Sequence, residues 1–190
     1  MKKIVLFASG SGTNVENIVT YFQHYTEITI SCIFTNNAKA GVIDRCKRLE
    51  IPLLCFNKLA FSASNVLQDT LLALNPDLIV LAGFLWKVPQ KMVHAFPKRI
   101  VNIHPALLPK FGGKGMYGNH VHKAVRDSGE RYTGITVHFV NEHYDEGAII
   151  LQEKVAIQEE DTVETIASKV HQLEYEYYPK VIEQILMNYG

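Results

Sequence analysis

The sequence has no excess of either charge. Its 190 residues include 19 Lys and Arg and 19 Asp and Glu, which gives a formal net charge of zero at pH 7. Proteins that bind nucleic acid through its phosphates usually carry a basic excess, so we expect no nucleic-acid partner. No apolar run approaches the roughly 18 residues that a membrane span requires, so we also expect no membrane contact.

The sequence also lacks a secretory signal and a cysteine motif. The apolar stretch near the N-terminus covers only residues 4–8, against the roughly 7–15 residues of a signal core, and a glycine turn follows it. We interpret this stretch as a first β-strand and expect a cytoplasmic protein. The three cysteines, Cys32, Cys46 and Cys55, form no C-x-x-C pair and stand among apolar residues, which predicts buried free thiols.

Strand and helix patterns alternate along the chain. A length of 190 residues with 47% apolar residues is typical of one domain, and we expect residues 1–190 to form one. Apolar and β-branched runs predict strands at 3–8, 28–35, 52–56, 77–83, 100–103, 134–140 and 148–155. Helices are predicted at 13–25, 41–50, 64–74, 89–95, 120–128 and 162–187. Successive β-α-β units predict an α/β fold: a doubly wound, mostly parallel Rossmann-like sheet with helices on both faces and an antiparallel portion late in the chain.

Two features interrupt this regular pattern. Pro179 inside the last helix predicts a kink or a restart there. Residues 104–119 show no periodicity and hold four of the 12 glycines. Long irregular segments inside domains are typically functional or disordered, so this segment is a candidate part of a site.

A glycine-rich turn, residues 9–14 (SGSGTN), joins the first strand to the first helix. Thr13 or Asn14 is predicted to cap that helix. Glycine lets a ligand approach the backbone closely, and the helix start offers free N–H groups and the positive end of the dipole. The turn therefore predicts a site for a phosphate monoester, with an ordinary tight turn as the alternative. The third glycine of the dinucleotide motif is missing and residues 28–43 contain no Asp or Glu, so no NAD is expected.

Asn102 and His104 lie on one face of the strand at 100–103, since side chains alternate along a strand. The carboxyl ends of parallel strands are where such sheets bind ligands. An amide donor beside an imidazole can hold and protonate an oxygen that gains negative charge during acyl transfer. The pair therefore predicts a catalytic site.

A histidine in this role needs a carboxylate to orient it or keep it charged. Asp145 is the leading candidate, in the polar loop between the last two strands, and Glu142 and Glu146 remain alternatives. The imidazoles of His104, His120 and His122 are the candidate ligands of an alternative metal site. Two histidines spaced by two on a helix do not converge, so no metal is expected.

Five segments together resemble a known family over essentially the whole chain. They are SGSGTN at 9–14, LAGF at 81–84, NIHPALLPK at 102–110, GITVHFV at 134–140 and DEGAIILQ at 145–152. They resemble the glycinamide ribonucleotide formyltransferases, folate-dependent enzymes of purine synthesis. The N-I-H-P segment followed by V-H-F-V and a later Asp is diagnostic of enzymes that use formyl-tetrahydrofolate, and the SGSGTN turn points to the ribonucleotide.

The resemblance implies a reaction and roles for the predicted residues. The amine of glycinamide ribonucleotide attacks the formyl group of 10-formyltetrahydrofolate, an oxyanion forms, and tetrahydrofolate leaves. Asn102 binds the formyl oxygen, His104 is kept protonated by Asp145 and stabilises the oxyanion, and Asp145 assists proton transfer. The N-terminal part of the chain is implied to bind the phosphate and the nucleotide, and the C-terminal part to bind folate and carry out catalysis.

The resemblance also assigns binding residues. The substrate phosphate is placed on the backbone of Gly12, Thr13 and Asn14, and Glu174 is placed near the ribose. From composition alone Glu174 is an exposed helix residue. The folate pteridine is placed near Leu85, Trp86, Lys87 and Val88, with Asn102 and His138 in the same pocket. The peptide bond before Pro109 is implied to be cis.

The sequence departs from the family at several positions. Ser64 and Trp86 stand where many relatives carry arginines that are useful for folate, so the charged contact to folate is either missing or supplied by Lys87 or another base. The loop 111–119 is longer and richer in glycine than in some relatives, and we expect it to be mobile until substrate binds. We expect a monomer or a weak homodimer.

Two other readings use the same residues. Formyltransferases that act on methionyl-tRNA carry an additional RNA-binding domain, and formyl-folate hydrolases carry a regulatory domain, for which 190 residues leave no room. A non-catalytic nucleotide-binding module is the alternative from another class. It needs no acyl-transfer residues, so Asn102, His104 and Asp145 together argue against it.

Overall fold

A seven-stranded sheet forms the centre of the molecule. The computed structural model describes residues 1–188. The strands are β1 Lys2–Ala8, β2 Ile28–Thr35, β3 Leu53–Cys55, β4 Leu78–Leu81, β5 Ile100–His104, β6 Tyr132–Phe139 and β7 Ile149–Ala156. Their order is β3-β2-β1-β4-β5-β6-β7. The first five strands run parallel, while β6 is antiparallel to β5 and β7 is antiparallel to β6.

This order confirms the predicted doubly wound, mostly parallel sheet with antiparallel strands late in the chain. The chain builds outward from β1 in one direction and then returns to add β4 on its other side. At such a switch point the connections after two neighbouring strands diverge and leave a crevice at the carboxyl edge. The loops that follow β1, β4 and β5 open onto this crevice.

Six α-helices accompany the sheet within the described residues. They are α1 Thr13–Phe22, α2 Val42–Leu49, α3 Val66–Leu74, α4 Gln90–Ala95, α5 Asn119–Asp127 and α6 Val163–Asn188. β1 shows how both faces are covered. Ile4 and Leu6 belong to a core with buried residues of α1, α2 and α6, whereas Val5 and Phe7 pack with buried residues of α3 and α4. The alternation along one central strand thus produces two separate cores.

Several local predictions need correction. The helix predicted at 64–74 is present but begins two residues later, at Val66, and an unpredicted π-helical turn, Leu59–Ala63, precedes it. α6 runs through Pro179 without a restart, so the restart offered by the prediction does not occur, and the kink stays a prediction. Cys32 and Cys46 are buried free thiols as predicted, but Cys55 is exposed, since it ends the short strand β3 at the margin of the sheet.

Candidate active site

A cleft of about 530 Å³ lies at the carboxyl ends of β1, β4 and β5. The turn after β1 and the first half of α6 line the cleft, together with the loops after β4, β5 and β6. Every residue predicted to belong to the site lines this cleft: Gly12, Thr13, Asn14, Leu85, Trp86, Lys87, Val88, Asn102, His104, His138, Asp145 and Glu174. Folding therefore brings together residues up to 162 positions apart in sequence, and the candidate site is one cavity.

Gly12 sets the geometry of the turn after β1. It has a left-handed backbone, with φ 77°, and a Cβ at this position would lie 2.5 Å from Val42 Cγ2. Gly12 also caps α1, and no side chain does so, which corrects the prediction that Thr13 or Asn14 is the cap. The first amide groups of a helix have no partner within it, so the start of α1 presents donors to the cleft.

Asn14 joins this turn to the last helix. Its Nδ2 donates a hydrogen bond to Glu174 Oε2 at 2.8 Å. Glu174 is only 6% exposed, contrary to its appearance as an exposed residue in the sequence. Burial raises the pKa of the Glu174 carboxyl, and the hydrogen bond from Asn14 and the charge of His171 oppose this. Asn14 Oδ1 is buried and has no hydrogen-bond partner among residues 1–188, so an unsatisfied acceptor lies beside Glu174 in this part of the protein.

Asn102 and His138 meet across the antiparallel pair of β5 and β6. They stand opposite each other in the register, and Asn102 Nδ2 lies 3.2 Å from His138 Nε2. His138 Nδ1 lies 2.9 Å from the carbonyl oxygen of Phe139 and therefore carries the hydrogen of that bond. In the neutral ring Nε2 is then the acceptor, and Asn102 donates to it.

His104 stands between two oxygen acceptors. Its Nε2 donates to the carbonyl oxygen of Phe111 at 2.8 Å, and its Nδ1 lies 3.6 Å from Asp145 Oδ2. Burial lowers the pKa of His104, whereas Asp145 and the Phe111 carbonyl raise it and His138 lowers it further. The net direction of the His104 pKa is downward, because burial outweighs the carboxylate. The expectation that Asp145 keeps this imidazole charged stays a prediction.

Asp145 is the carboxylate at the centre of the site. It has a left-handed backbone with φ 54° and accepts a hydrogen bond from the Gly113 N–H at 2.9 Å. Its Oδ1 also lies 3.6 Å from His138 Nε2. Burial alone would raise the pKa of Asp145, but the interaction with His138, the charge of His104 and the hydrogen bond from the Gly113 amide outweigh it and hold the pKa below its usual value.

The two alternatives to Asp145 lie elsewhere. Glu142 pairs with His94 Nε2 at 2.5 Å, outside the lining of the cleft, and Glu146 is exposed. Gly147 fixes the path of this loop, since a Cβ there would lie 1.6 Å from the carbonyl oxygen of Phe139. The close passage of Gly147 over β6 brings Asp145 to the two histidines.

The segment after β4 forms an aromatic wall. Trp86 packs in a cluster with Phe56, Phe61 and Phe84, and Lys58 Nζ lies 4.6 Å from the centroid of its ring. Val88 is buried, while Leu85 is 47% exposed and its N–H donates to Ser9 Oγ at 3.0 Å.

The two departures from the family differ in their surroundings. Trp86 lines the cleft beside the cation of Lys58. Ser64 stands just before α3, outside the lining of the cleft, and its carbonyl oxygen accepts a hydrogen bond from Lys91. Lys87 Nζ lies 5.5 Å from the centroid of the Tyr144 ring across the cleft. The cationic side chains beside this wall, Lys58 and Lys87, are therefore lysines rather than the arginines of many relatives.

Two histidines line the cleft that the sequence does not assign to it: His171, and His122, which enters the sequence analysis only as a metal ligand. His122 on α5 is buried, its Nδ1 has no hydrogen-bond partner among residues 1–188, and its ring centroid lies 6.4 Å from that of His171 on α6. Burial, followed by the charges of His171 and His104, lowers the pKa of His122 to about 4. The spacing of His122 with the buried Val125 was the available signal, because residues three apart share a helix face.

The remaining local expectation concerns the loop after β5. The Leu108–Pro109 peptide bond is cis, as the resemblance implied.

Within residues 1–188 no three His, Cys, Asp or Glu side chains are grouped so as to hold a metal ion. None of the described helices has the length and apolar character of a membrane span.

Comparison with known proteins decides the family. A profile of the family described as Formyl transferase matches residues 2–182. The chain belongs to this family. The match includes the glycine turn, both strands of the Asn102–His138 pair and the loop of Asp145.

Individual relatives of this formyl transferase family member agree. The chain is 41% identical to the chloroplastic phosphoribosylglycinamide formyltransferase of Arabidopsis thaliana over 193 aligned positions, which cover 97% of the chain. The chain spans 65% of that protein's length, just under two thirds. It is 38% identical to the phosphoribosylglycinamide formyltransferase of Bacillus subtilis, with 98% of the chain and 95% of that protein covered.

A solved structure confirms the fold. The crystal structure of phosphoribosylglycinamide formyltransferase from Bacillus halodurans superposes with a TM-score of 0.88 at 34% identity and covers 100% of this chain and 97% of its own.

Proposed function

We propose that the chain transfers the formyl group of 10-formyltetrahydrofolate to the amine of glycinamide ribonucleotide. The products are formylglycinamide ribonucleotide and tetrahydrofolate. The observation that carries the proposal is the convergence of Asn102, His104 and Asp145 in one cleft with the phosphate-type turn at α1. The relatives' names, phosphoribosylglycinamide formyltransferase, support the acceptor and the transfer of a formyl group.

The end of the cleft at α1 suits a phosphorylated ribose. The amide groups at the start of α1 are donors for a phosphate monoester, and the helix dipole favours its negative charge. Glu174 lines this end and is an acceptor that matches ribose hydroxyl groups. We assign Gly12, Thr13 and Asn14 to the phosphate and Glu174 to the ribose.

The wall after β4 suits a flat, partly polar ring. It offers the apolar side chains of Leu85, Trp86 and Val88, and Lys87 adds a charge beside them. We assign these four residues to folate, together with His138 and Asn102 at the reacting end. When bound, 10-formyltetrahydrofolate supplies the activated one-carbon group.

The three central residues act on charge and protons. The amide of Asn102 and the Nε2–H of His104 are donors for the formyl oxygen as the substrate amine adds to the formyl carbon and negative charge grows on that oxygen. A His104 donor must then exchange its bond with the Phe111 carbonyl for one with the substrate. Such donors act best when they are preorganised, and burial of the site strengthens each bond.

Asp145 is the acceptor for the proton that the substrate amine loses. The new carbon–nitrogen bond forms on the substrate amine, which must lose a proton, and the bond from the formyl carbon to N10 of the folate breaks, so that N10 must gain one. Asp145 remains ionised because its pKa is held below the usual value, and a carboxylate can accept the amine proton directly or through water. Its charge also stabilises any imidazolium that forms at His104.

The test is a turnover assay with both substrates. The protein is mixed with glycinamide ribonucleotide and 10-formyltetrahydrofolate, and formylated product and tetrahydrofolate are measured. We expect equal amounts of both, activity lost in Asp145→Asn, and activity kept in Glu146→Gln, the exposed neighbouring carboxylate. Formate release without formylated amine indicates a hydrolase instead. Binding of glycinamide ribonucleotide with no turnover of either kind indicates a nucleotide-binding module.

A further inference from the structure

The hydroxyl of Thr136 is the centre of a small polar cluster behind the catalytic residues. Thr136 is fully buried on β6 and stands directly opposite His104 on β5. Its Oγ1 donates to the carbonyl oxygen of Ala106 at 2.7 Å and accepts from the N–H of Leu108 at 3.0 Å. The backbone just after β5 therefore forms hydrogen bonds with the Thr136 side chain rather than with the backbone of a neighbouring strand.

Gln152 on the next strand completes the cluster. It pairs with Thr136 in the register of β6 and β7, and its Nε2 lies 3.0 Å from Thr136 Oγ1 and 2.8 Å from the carbonyl oxygen of Leu108. Both backbone polar groups of Leu108 are therefore bound by side chains, the N–H by Thr136 and the carbonyl by Gln152.

The segment held in this way leads to the groups that flank the catalytic pair. The Phe111 carbonyl accepts from His104, and the Gly113 N–H donates to Asp145. Between them, a Cβ on Gly112 would lie 2.6 Å from Leu108 Cδ2 and 3.3 Å from Asp145 Cβ. Leu108 and Asp145 are packed against the same backbone, so a shift of Leu108 moves the contacts of both catalytic side chains.

We propose that Thr136, supported by Gln152, is a positioning residue that holds the loop after β5 so that His104 and Asp145 face each other for the reaction. The role in turnover rests on the proposed formyl transfer, whereas the role in holding the His104 contact to Phe111 does not. Neither side chain lines the catalytic cleft, so both act through Leu108 and the loop.

Thr136→Val removes the hydroxyl at nearly constant volume and leaves the Ala106 carbonyl and the Leu108 N–H without their partner. Thr133→Val is the matched control. Thr133 is buried on the same strand, and its Oγ1 has no hydrogen-bond partner among residues 1–188. Thr136→Ser keeps the hydroxyl and is the conservative variant. Gln152→Leu removes the hydrogen bonds of Gln152 to Leu108 and Thr136, and it replaces Thr136→Val as the test if that variant does not fold.

Two measurements are made on each variant. Steady-state kinetics separate kcat from KM, and nuclear magnetic resonance follows the imidazole N–H of His104, which donates to Phe111. We expect Thr136→Val to lower kcat by about 10- to 100-fold, the scale of a small misplacement of reacting groups, with KM for both substrates nearly unchanged. The His104 N–H signal broadens or shifts, while Thr133→Val matches the wild type and Thr136→Ser recovers.

Each outcome is decisive. If Thr136→Val and Gln152→Leu lower only the unfolding midpoint while kcat and the His104 signal stay at wild-type values, the positioning role is wrong. If the wild type does not transfer a formyl group, the proposed function fails, and the His104 signal alone decides whether Thr136 holds the loop. The groups around His104 that shape this signal are Asp145, His138 and His122, and none of them is changed.

Discussion

The two ends of the cleft are built from different kinds of groups. The end at α1 consists of backbone amides on one contiguous turn, fixed by Gly12, with Asn14 and Glu174 beside it. The other end consists of side chains from β5, β6 and the loop before β7, which meet around Asp145. A backbone site tolerates many side chains but no change of conformation, whereas a side-chain cluster fails when any one group changes.

The largest expected effects come from the side-chain end. Asn102→Ala, His104→Ala and Asp145→Asn each remove a group that we assign to the developing charge or the proton, so each lowers kcat by about 10²–10³-fold. KM for glycinamide ribonucleotide stays near its wild-type value because the α1 end is untouched. Steady-state assays measure this, with Glu146→Gln as the control.

A variant of this group with near-wild-type kcat and a folded near-ultraviolet circular dichroism spectrum would remove that residue from the mechanism. A large rise in KM for glycinamide ribonucleotide in all three would show instead that the two ends do not bind independently.

Gly12→Ala tests the backbone end. The new Cβ would meet Val42 Cγ2 at 2.5 Å, and the residue keeps a φ of 77° that disfavours a side chain. Overpacking alone costs about 1–3 kcal/mol of the free energy of unfolding, and distortion of the turn raises KM for glycinamide ribonucleotide. Urea unfolding and steady-state kinetics measure the two effects.

Gly10→Ala is the control for this substitution. Gly10 lies two residues earlier in the same turn, and no heavy atom comes within 4 Å of the position of a Cβ there. Equal destabilisation of both variants would contradict the assignment of the cost to the contact with Val42.

Glu174→Gln is expected to separate stability from binding. The folded-state pKa of Glu174 is raised by burial, so the folded protein binds a proton more readily than the unfolded chain, and ionisation above that pKa weakens the fold. The variant keeps an oxygen acceptor for Asn14 without the charge. At pH 8 it should unfold a few degrees higher than the wild type, while KM for glycinamide ribonucleotide rises about tenfold as a charged acceptor is lost.

The pH dependence of the stability difference between Glu174→Gln and the wild type tests whether the pKa of Glu174 is raised. The stability advantage of Glu174→Gln should shrink as the pH falls through the folded-state pKa towards the unfolded one, because the wild-type carboxyl is then protonated too. Scanning calorimetry from pH 8 to pH 4 follows this. An advantage that grows on acidification would contradict a raised pKa.

The same contrast explains how much of the site could be predicted from sequence. Gly12, Asn102 and His104 follow from local rules: a glycine turn before a helix, and a period of two at the end of a strand. The choice of Asp145 over Glu142 and Glu146 depended on the family, since all three lie in one polar loop. In the structure, the close contact of Gly147 with the Phe139 carbonyl on β6 directs the loop so that Asp145 lies beside the two histidines. This contact joins two elements, so no local sequence pattern predicts it.

Other parts of the structure depend on packing between distant elements. His122 and His171 face the cleft because α5 packs against α6, and the sequence gives no measure of that packing. The downward pKa of His104 likewise reflects its depth of burial, which outweighs Asp145. Intrinsic helix propensity is a weak guide to these elements, because tertiary packing overrides it. Phe61 in the π-helical turn Leu59–Ala63 is fully buried, and so is Tyr178, the residue before Pro179 in the uninterrupted α6.

The smallest predicted effect concerns the residue between the two ends. Tyr178 is fully buried on α6, one turn after Glu174, and its hydroxyl lies 3.0 Å from the carbonyl oxygen of Leu81 and 3.3 Å from that of Val101. Tyr178→Phe removes this donor and should cost about 0.5–1.5 kcal/mol of the free energy of unfolding. Since α6 carries Glu174 and Val101 precedes Asn102, kcat and KM for glycinamide ribonucleotide should both change, each by less than about threefold. Urea unfolding and steady-state kinetics measure these values, and a large change in only one of the two kinetic constants would show that Tyr178 supports one end of the cleft alone.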